Sequence, residues 1–206
     1  MPTRQKCALG LSVHTGWAAC VVALGDVRAP RISGREEIEL LGDAERFVYH
    51  RAAEARATAE RALAHARRSA TERATAALGL IVDRARARGE EITACAIVAK
   101  EGEVLALDDV LVAHPRIHTA EGHFYRDVLR DAAAATGLPT RILSPRALDA
   151  QAARAMDVAL IDLPALLVEA GRAVGRPWAK DQKAASLAAW TLLAEGERRE
   201  PHARSR

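Results

Sequence analysis

The chain has 206 residues, 30 Lys and Arg against 27 Asp and Glu, a formal net charge of +3 and a pI of about 9.0. Its length fits one domain, or one with an appendage, and an excess of three positive charges is too small for nucleic-acid binding to follow from charge alone. Half the residues are apolar but only 3% are aromatic, and 46 are alanine, so the core is expected to rest on Leu, Val, Ile and Ala.

Residues 7–24 are dense in Val, Leu and Cys and are broken once around Ser12 to Thr15, which predicts two strands joined by a tight turn. Gly25 and Asp26 supply turn chemistry, and residues 30–41 alternate loosely enough for a third strand with a polar outer face. From residue 43 to 89 Ala, Arg and Glu dominate and no proline occurs, which predicts a long helical insertion. Asp43 is the expected N-cap, a break is expected near Ser69 to Thr71 or at Gly79, and Phe47, Val48 and Leu63 are expected to face inward.

Residues 91–100 form a nearly continuous apolar run flanked by charge, the pattern of a strand buried on both faces. Residues 106–113 read as a short helix stopped by His114-Pro115, and Thr119 as the cap of a helix that runs to Thr136 and closes at Gly137. A short fifth strand at 140–143, a mixed connection, a helix from about 181 to 195 and a flexible basic tail at 196–206 complete the chain, with residues 1–195 as one domain. The order predicts an α/β fold: a five-stranded mixed sheet in which three antiparallel strands precede βαβ crossovers. The first strand is central, and the strand at 91–100 lies parallel beside it.

Cys7, Cys20 and Cys95 show no CxxC pairing and read as small buried hydrophobes. No export signal and no apolar run of bilayer length is recognised, so no membrane partner and a cytoplasmic location are expected.

Leu9-Gly10-Leu11 followed by Thr15-Gly16-Trp17, the segment from Thr119 to Pro139 and the closing Lys183 to Trp190 together resemble the ribonuclease H-like superfamily, in its RuvC/YqgF-like branch. The resemblance implies a ribonuclease H-like fold and an association with DNA or RNA. It also implies two Mg²⁺ ions held by carboxylates on the first strand, the fourth strand and the final helix. Here the first-strand position is Ser12, the fourth strand ends in Ala99-Lys100 with Glu101 beyond it, and the final helix offers Asp181, so the usual two-metal nuclease site is expected to be lacking.

The candidate chemistry lies elsewhere. His114, His118, Glu121 and His123 fall within ten residues, on a predicted loop and helix start at the sheet edge that also carries Ser12 and His14. Imidazole can ligate a metal or move a proton near neutral pH, and a carboxylate can orient it. His114, His118 and Glu121 are therefore the candidate ligands of a divalent metal. His14, His118, Glu121 and Asp181 are the candidate catalytic set of a hydrolase acting on phosphoester or similar bonds, with Tyr49 and His50 within reach. Alternatively, Thr119 and Glu121 simply begin a helix.

The arginines of the long helix, Arg51, Arg61 and Arg68 among them, together with Lys183, would contact nucleic-acid backbone, although interspersed glutamates also fit a solvated face. Three readings follow: a nucleic-acid-associated protein without the two-metal site, a hydrolase, and a helix-mediated interaction protein that forms a homodimer through a face containing Leu63.

Overall fold

The structure is a computed structural model that describes residues 4–25 and 30–203, with side chains through residue 198. Three strands open the chain: β1 (Gln5–Val13), β2 (Trp17–Leu24) and β3 (Arg31–Glu39). The β1–β2 turn needs Gly16, which has φ +89°; its carbonyl accepts the Leu40 and Leu41 amides, so the hairpin also fixes the end of β3. β4 (Glu90–Val98) and β5 (Thr140–Leu143) complete a sheet of order β3-β2-β1-β4-β5. The first two pairings are antiparallel, and β1–β4 and β4–β5 are parallel, with Leu11 opposite both Cys20 and Ile97. The expected sheet is the one observed.

The helices are α1 (Val48–Glu54), α2 (Ala59–Ala87), α3 (Leu107–Leu111), α4 (His114–Ala135), α5 (Leu148–Met156), α6 (Leu163–Val174) and α7 (Lys180–Ala203). Strand alternation divides the core in two. Cys7, Leu9 and Leu11 of β1 pack with Leu78 and Ile81 of α2 and with Tyr125 and Leu129 of α4. On the opposite face Ala8, Ala96 and Val98 meet Ala188 and Trp190 of α7, Met156 of α5 and Leu167 of α6. α7 lies close against β1 because Gly10 has no side chain: a Cβ there would stand 1.8 Å from the Ala185 carbonyl oxygen. A third apolar cluster contains no strand residue and joins α1, α3 and the start of α4 through Ala52, Val110, Leu111, Ile117 and Ala120.

The borders of the sheet are tied to neighbouring segments. Arg35 of β3 donates to the carbonyls of Val174, Arg176 and Pro177, holding the segment after α6, and Arg141 of β5 pairs with Glu195 of α7. Glu36 and Glu39 of β3 pair with Arg84 and Arg73 of α2.

Several local expectations are corrected. The insertion begins at Val48; Asp43 stands in a preceding turn, paired with Arg46. Its break comes at Ala55 and a single 3-10 turn at Arg56–Thr58, where Arg56 donates to the Leu111 carbonyl at 2.8 Å; α2 then runs unbroken through Ser69 and Gly79. Val48 is buried and Leu63 packs inward on the domain's own core, but Phe47 is exposed.

The short helix expected before His114-Pro115 is α3, but His114-Pro115 also starts α4, with Pro in the first turn, where its missing N–H costs nothing. Thr119 is therefore interior to α4, its hydroxyl donating to the Pro115 carbonyl at 3.0 Å, and it caps nothing. α5 and α6 fill the stretch expected to be a mixed connection. α7 continues through Ala203 where a flexible tail from residue 196 was expected; the last residues of that tail, 204–206, lie outside the described residues.

The three cysteines are buried and free. Burial pushes the Cys7 and Cys95 thiols up to about 12 and raises that of Cys20 as well, so they stay protonated at neutral pH and act as hydrophobes.

Candidate functional site

β1, β3, β4 and β5 all run the same way, so their C-terminal ends form one rim. α1 follows β3 there, and α4 and α7 begin at the same end. Two polar groupings stand at this rim.

The first lies on the α7 side. Ser12, near the end of β1, alternates away from Leu11 and faces α7, where its Oγ is 3.4 Å from Oδ1 of Asp181. His14, in the following turn, places Nε2 at 2.7 Å from that same oxygen. The His14 ring stacks on Trp17 with centroids 4.2 Å apart and planes 8° from parallel, and its Nε2, though close to the acid, makes no hydrogen bond. Lys183, one turn along α7, is half-buried.

The second lies on the α1 and α4 side. With α4 starting at His114, His114, His118 and Glu121 fall at i, i+4 and i+7, on one helical face. The small third core presses α1 onto this face and brings in His50, 71 residues before Glu121 in sequence. His50 Nδ1 is 2.8 Å from Glu121 Oε1, and its backbone N–H is 3.4 Å from the same oxygen. His118 Nδ1 lies 3.9 Å from Glu121 Oε2, and its Nε2 is 2.9 Å from His114 Nε2. The three ring centroids are 4.4, 4.8 and 5.1 Å apart.

Glu121 is only 1% exposed. Its carboxylate helps raise the pKa of Tyr125, which burial raises most; that phenol is fully buried and donates to the Arg46 carbonyl at 2.6 Å.

The structure thus brings the four expected catalytic residues together as two pairs, His14 with Asp181 and His118 with Glu121. Among the described residues no hydrogen bond, ion pair or ring contact joins one pair to the other. The expected trio His114, His118 and Glu121 stays together but gains His50, which takes one carboxylate oxygen. His123 points away from this face and packs its Nε2 against Gly102, with no hydrogen-bond partner for that atom. Arg51, Arg61 and Arg68 are exposed on α1 and α2, and Glu101 is exposed in the segment after β4.

No protein-family model and no curated protein matches the chain. Among solved structures it is similar to Thermus thermophilus RuvC in complex with Holliday junction substrate, with a TM-score of 0.56, 13% identity, and coverage of 94% of this chain and 96% of that one. A second Thermus thermophilus RuvC structure gives a TM-score of 0.55 and 12% identity, covering 93% of this chain and 96% of that one. The chain therefore has a ribonuclease H-like fold of the RuvC type over nearly its whole length. No helix among the described residues is long and apolar enough to cross a membrane.

Proposed function

We propose that this protein binds structured nucleic acid through its RuvC-like fold and does not cut it by two-metal carboxylate catalysis. The observation that carries the reading is the chemistry of the rim on a fold otherwise kept whole. At the end of the central strand stands the hydroxyl of Ser12, and the one carboxylate within hydrogen-bond reach of it among the described residues, Asp181, has that same oxygen 2.7 Å from His14 Nε2. Mg²⁺ takes oxygen ligands in octahedral geometry, and a two-ion site needs several carboxylates converging on one point. A hydroxyl, an imidazole and one acid do not fit that requirement, and β4 runs out toward Lys100.

Binding is supported by the likeness to a RuvC solved on a Holliday junction and by exposed cations on α1 and α2, Arg51, Arg61 and Arg68, with half-buried Lys183 in the first turn of α7. Such contacts neutralise phosphates and release counterions, so affinity should fall linearly with salt on logarithmic axes.

A fluorescent four-way DNA junction titrated at increasing salt tests the proposal. Salt-sensitive binding is expected, and Arg68→Ala and Lys183→Ala should each flatten the logarithmic slope by about 1. The junction should remain intact when Mg²⁺ or Mn²⁺ is added. Absence of binding at low salt, or Mg²⁺-dependent cleavage lost in Asp181→Asn, overturns the proposal.

A further inference from the structure

The geometry points to a zinc site made by His50, His114 and His118, with the buried carboxylate of Glu121 behind the rings as an outer-shell acceptor. This does not rest on the nucleic-acid reading, and its donors are nitrogens, unlike the oxygen set the fold's resemblance implies. One potential ligand atom from each of the three histidines lies within 4.8 Å of the others.

Tautomer and orientation follow from the carboxylate. Glu121 Oε1 accepts from His50 Nδ1 at 2.8 Å, which leaves Nε2 of His50 as the ring's free lone pair. Oε2 of the same carboxylate stands on the Nδ1 side of His118, at 3.9 Å, while Nε2 of His118 faces Nε2 of His114 at 2.9 Å. Two Nε2 atoms this close either share one proton or aim both lone pairs at a common ion. At Zn–N bonds of about 2.0–2.1 Å in a tetrahedron, two ligand nitrogens stand about 3.3 Å apart. Opening the 2.9 Å contact by a few tenths of an ångström reaches that spacing.

Electrostatics favour the same occupant. Glu121 is a buried carboxylate that holds His50 through its Nδ1, the arrangement by which an outer-shell acid orients a metal-binding imidazole. A divalent ion held by the far ring nitrogens supplies positive charge one ring away from Glu121 and strengthens the His50 Nδ1–H as a donor to it. Imidazole donors select zinc-like transition metals over Mg²⁺ and Ca²⁺. With His114 and His118 exposed, the fourth coordination position opens to solvent.

The site is built to hold its shape. His114 and His118 ride on a 22-residue helix anchored in the main core, and His50 is set by Ala52 and the small apolar cluster beneath α1.

The test uses the full chain, stripped with chelator and dialysed against limiting Zn²⁺, with bound metal measured by elemental analysis and affinity by competition with a chromogenic chelator. One Zn²⁺ per chain is expected, and His50→Ala, His114→Ala and His118→Ala should each lose stoichiometric binding. Glu121→Gln should keep the ion at about 10- to 100-fold weaker affinity. His65→Ala, an exposed histidine on α2, should change nothing. Co²⁺ in place of Zn²⁺ should give the intense visible bands of a tetrahedral ion, and these should vanish in His118→Ala, an exposed position whose truncation leaves the core intact. Failure to bind Zn²⁺ stoichiometrically, retention of binding in His118→Ala, or only the pale spectrum of six-coordinate Co²⁺ overturns the assignment.

Discussion

Replacing Gly10 by alanine should unsettle the whole α7 layer. A Cβ at that position would lie 1.8 Å from the Ala185 carbonyl oxygen, 2.7 Å from its carbon and 3.2 Å from its Cα. Ordinary contact begins near 3.4 Å, and the atoms met are helix backbone, so no side-chain rotation relieves the clash. Either β1, paired on both sides, bends, or α7 retreats by about 1.5 Å from the face it covers. Overpacking usually costs 1–3 kcal/mol, and displacing a backbone layer puts this change near the upper end, about 3 kcal/mol. For a chain of this size that is a fall in Tm of about 6–12 °C, or about 1.5 M in urea midpoint at a slope of about 2 kcal/mol/M.

The matched control is Gly79→Ala. Gly79 lies inside α2, and a Cβ there meets nothing within 4 Å, so the same methyl should stabilise by up to about 1 kcal/mol through helix propensity alone. Chemical denaturation of both variants, followed by circular dichroism, decides the matter. A Gly10→Ala midpoint within about 0.5 kcal/mol of wild type, or the two variants shifting in the same direction, would refute the claim that α7 rests on a bare strand backbone.

Two further outcomes are expected. Leu78→Ala removes a fully buried side chain from between α2 and the sheet and should cost about 2–5 kcal/mol in urea unfolding; a loss below about 1 kcal/mol would mean that the core collapses into the gap. Burial, and then Arg126, lowers the pKa of His123 below 6.5. The unfolded chain therefore takes up this proton first, so the His123 contribution is intact above about pH 6.5 and is lost as pH falls through the lower folded value. Stability of His123→Gln should accordingly decline less than wild type by up to one proton's worth of slope over that acid range; parallel pH profiles would contradict this.

The strands are legible in the sequence because each is an apolar run cut by Gly, Asp or charge, and β4, buried on both faces of the sheet, is the clearest. The end of α4 is equally plain at Gly137-Leu138-Pro139. Its beginning is misread because Thr119 is a good cap residue and competes with the first-turn signal of Pro115. That five-residue error hides the fact that His114, His118 and Glu121 share one face.

The break at Ala55 leaves no local trace, since alanine-rich sequence favours helix on both sides. What enforces it is tertiary, including the reach of Arg56 to the Leu111 carbonyl. His50 follows from that break: only after α1 turns back over α4 does an isolated histidine become a neighbour of two others. In the same way, Ser12, His14 and Asp181 are foreseeable at one rim from strand direction, whereas the separation of His14 and His118 into two groupings depends on side-chain alternation across β1.

The tied borders of the sheet determine how this molecule can meet others. One margin offers a backbone ladder of only four residues, and the other is a charged strand bracketed by arginine contacts to the chain that crosses it. Strand-by-strand polymerisation into fibrils is disfavoured at both ends, and an extended peptide seeking to augment the sheet meets guanidinium and carboxylate groups before it meets free amides. Encounters with other macromolecules are left to side chains on helices and at strand ends, where recognition is set by charge and shape and not by main-chain pairing.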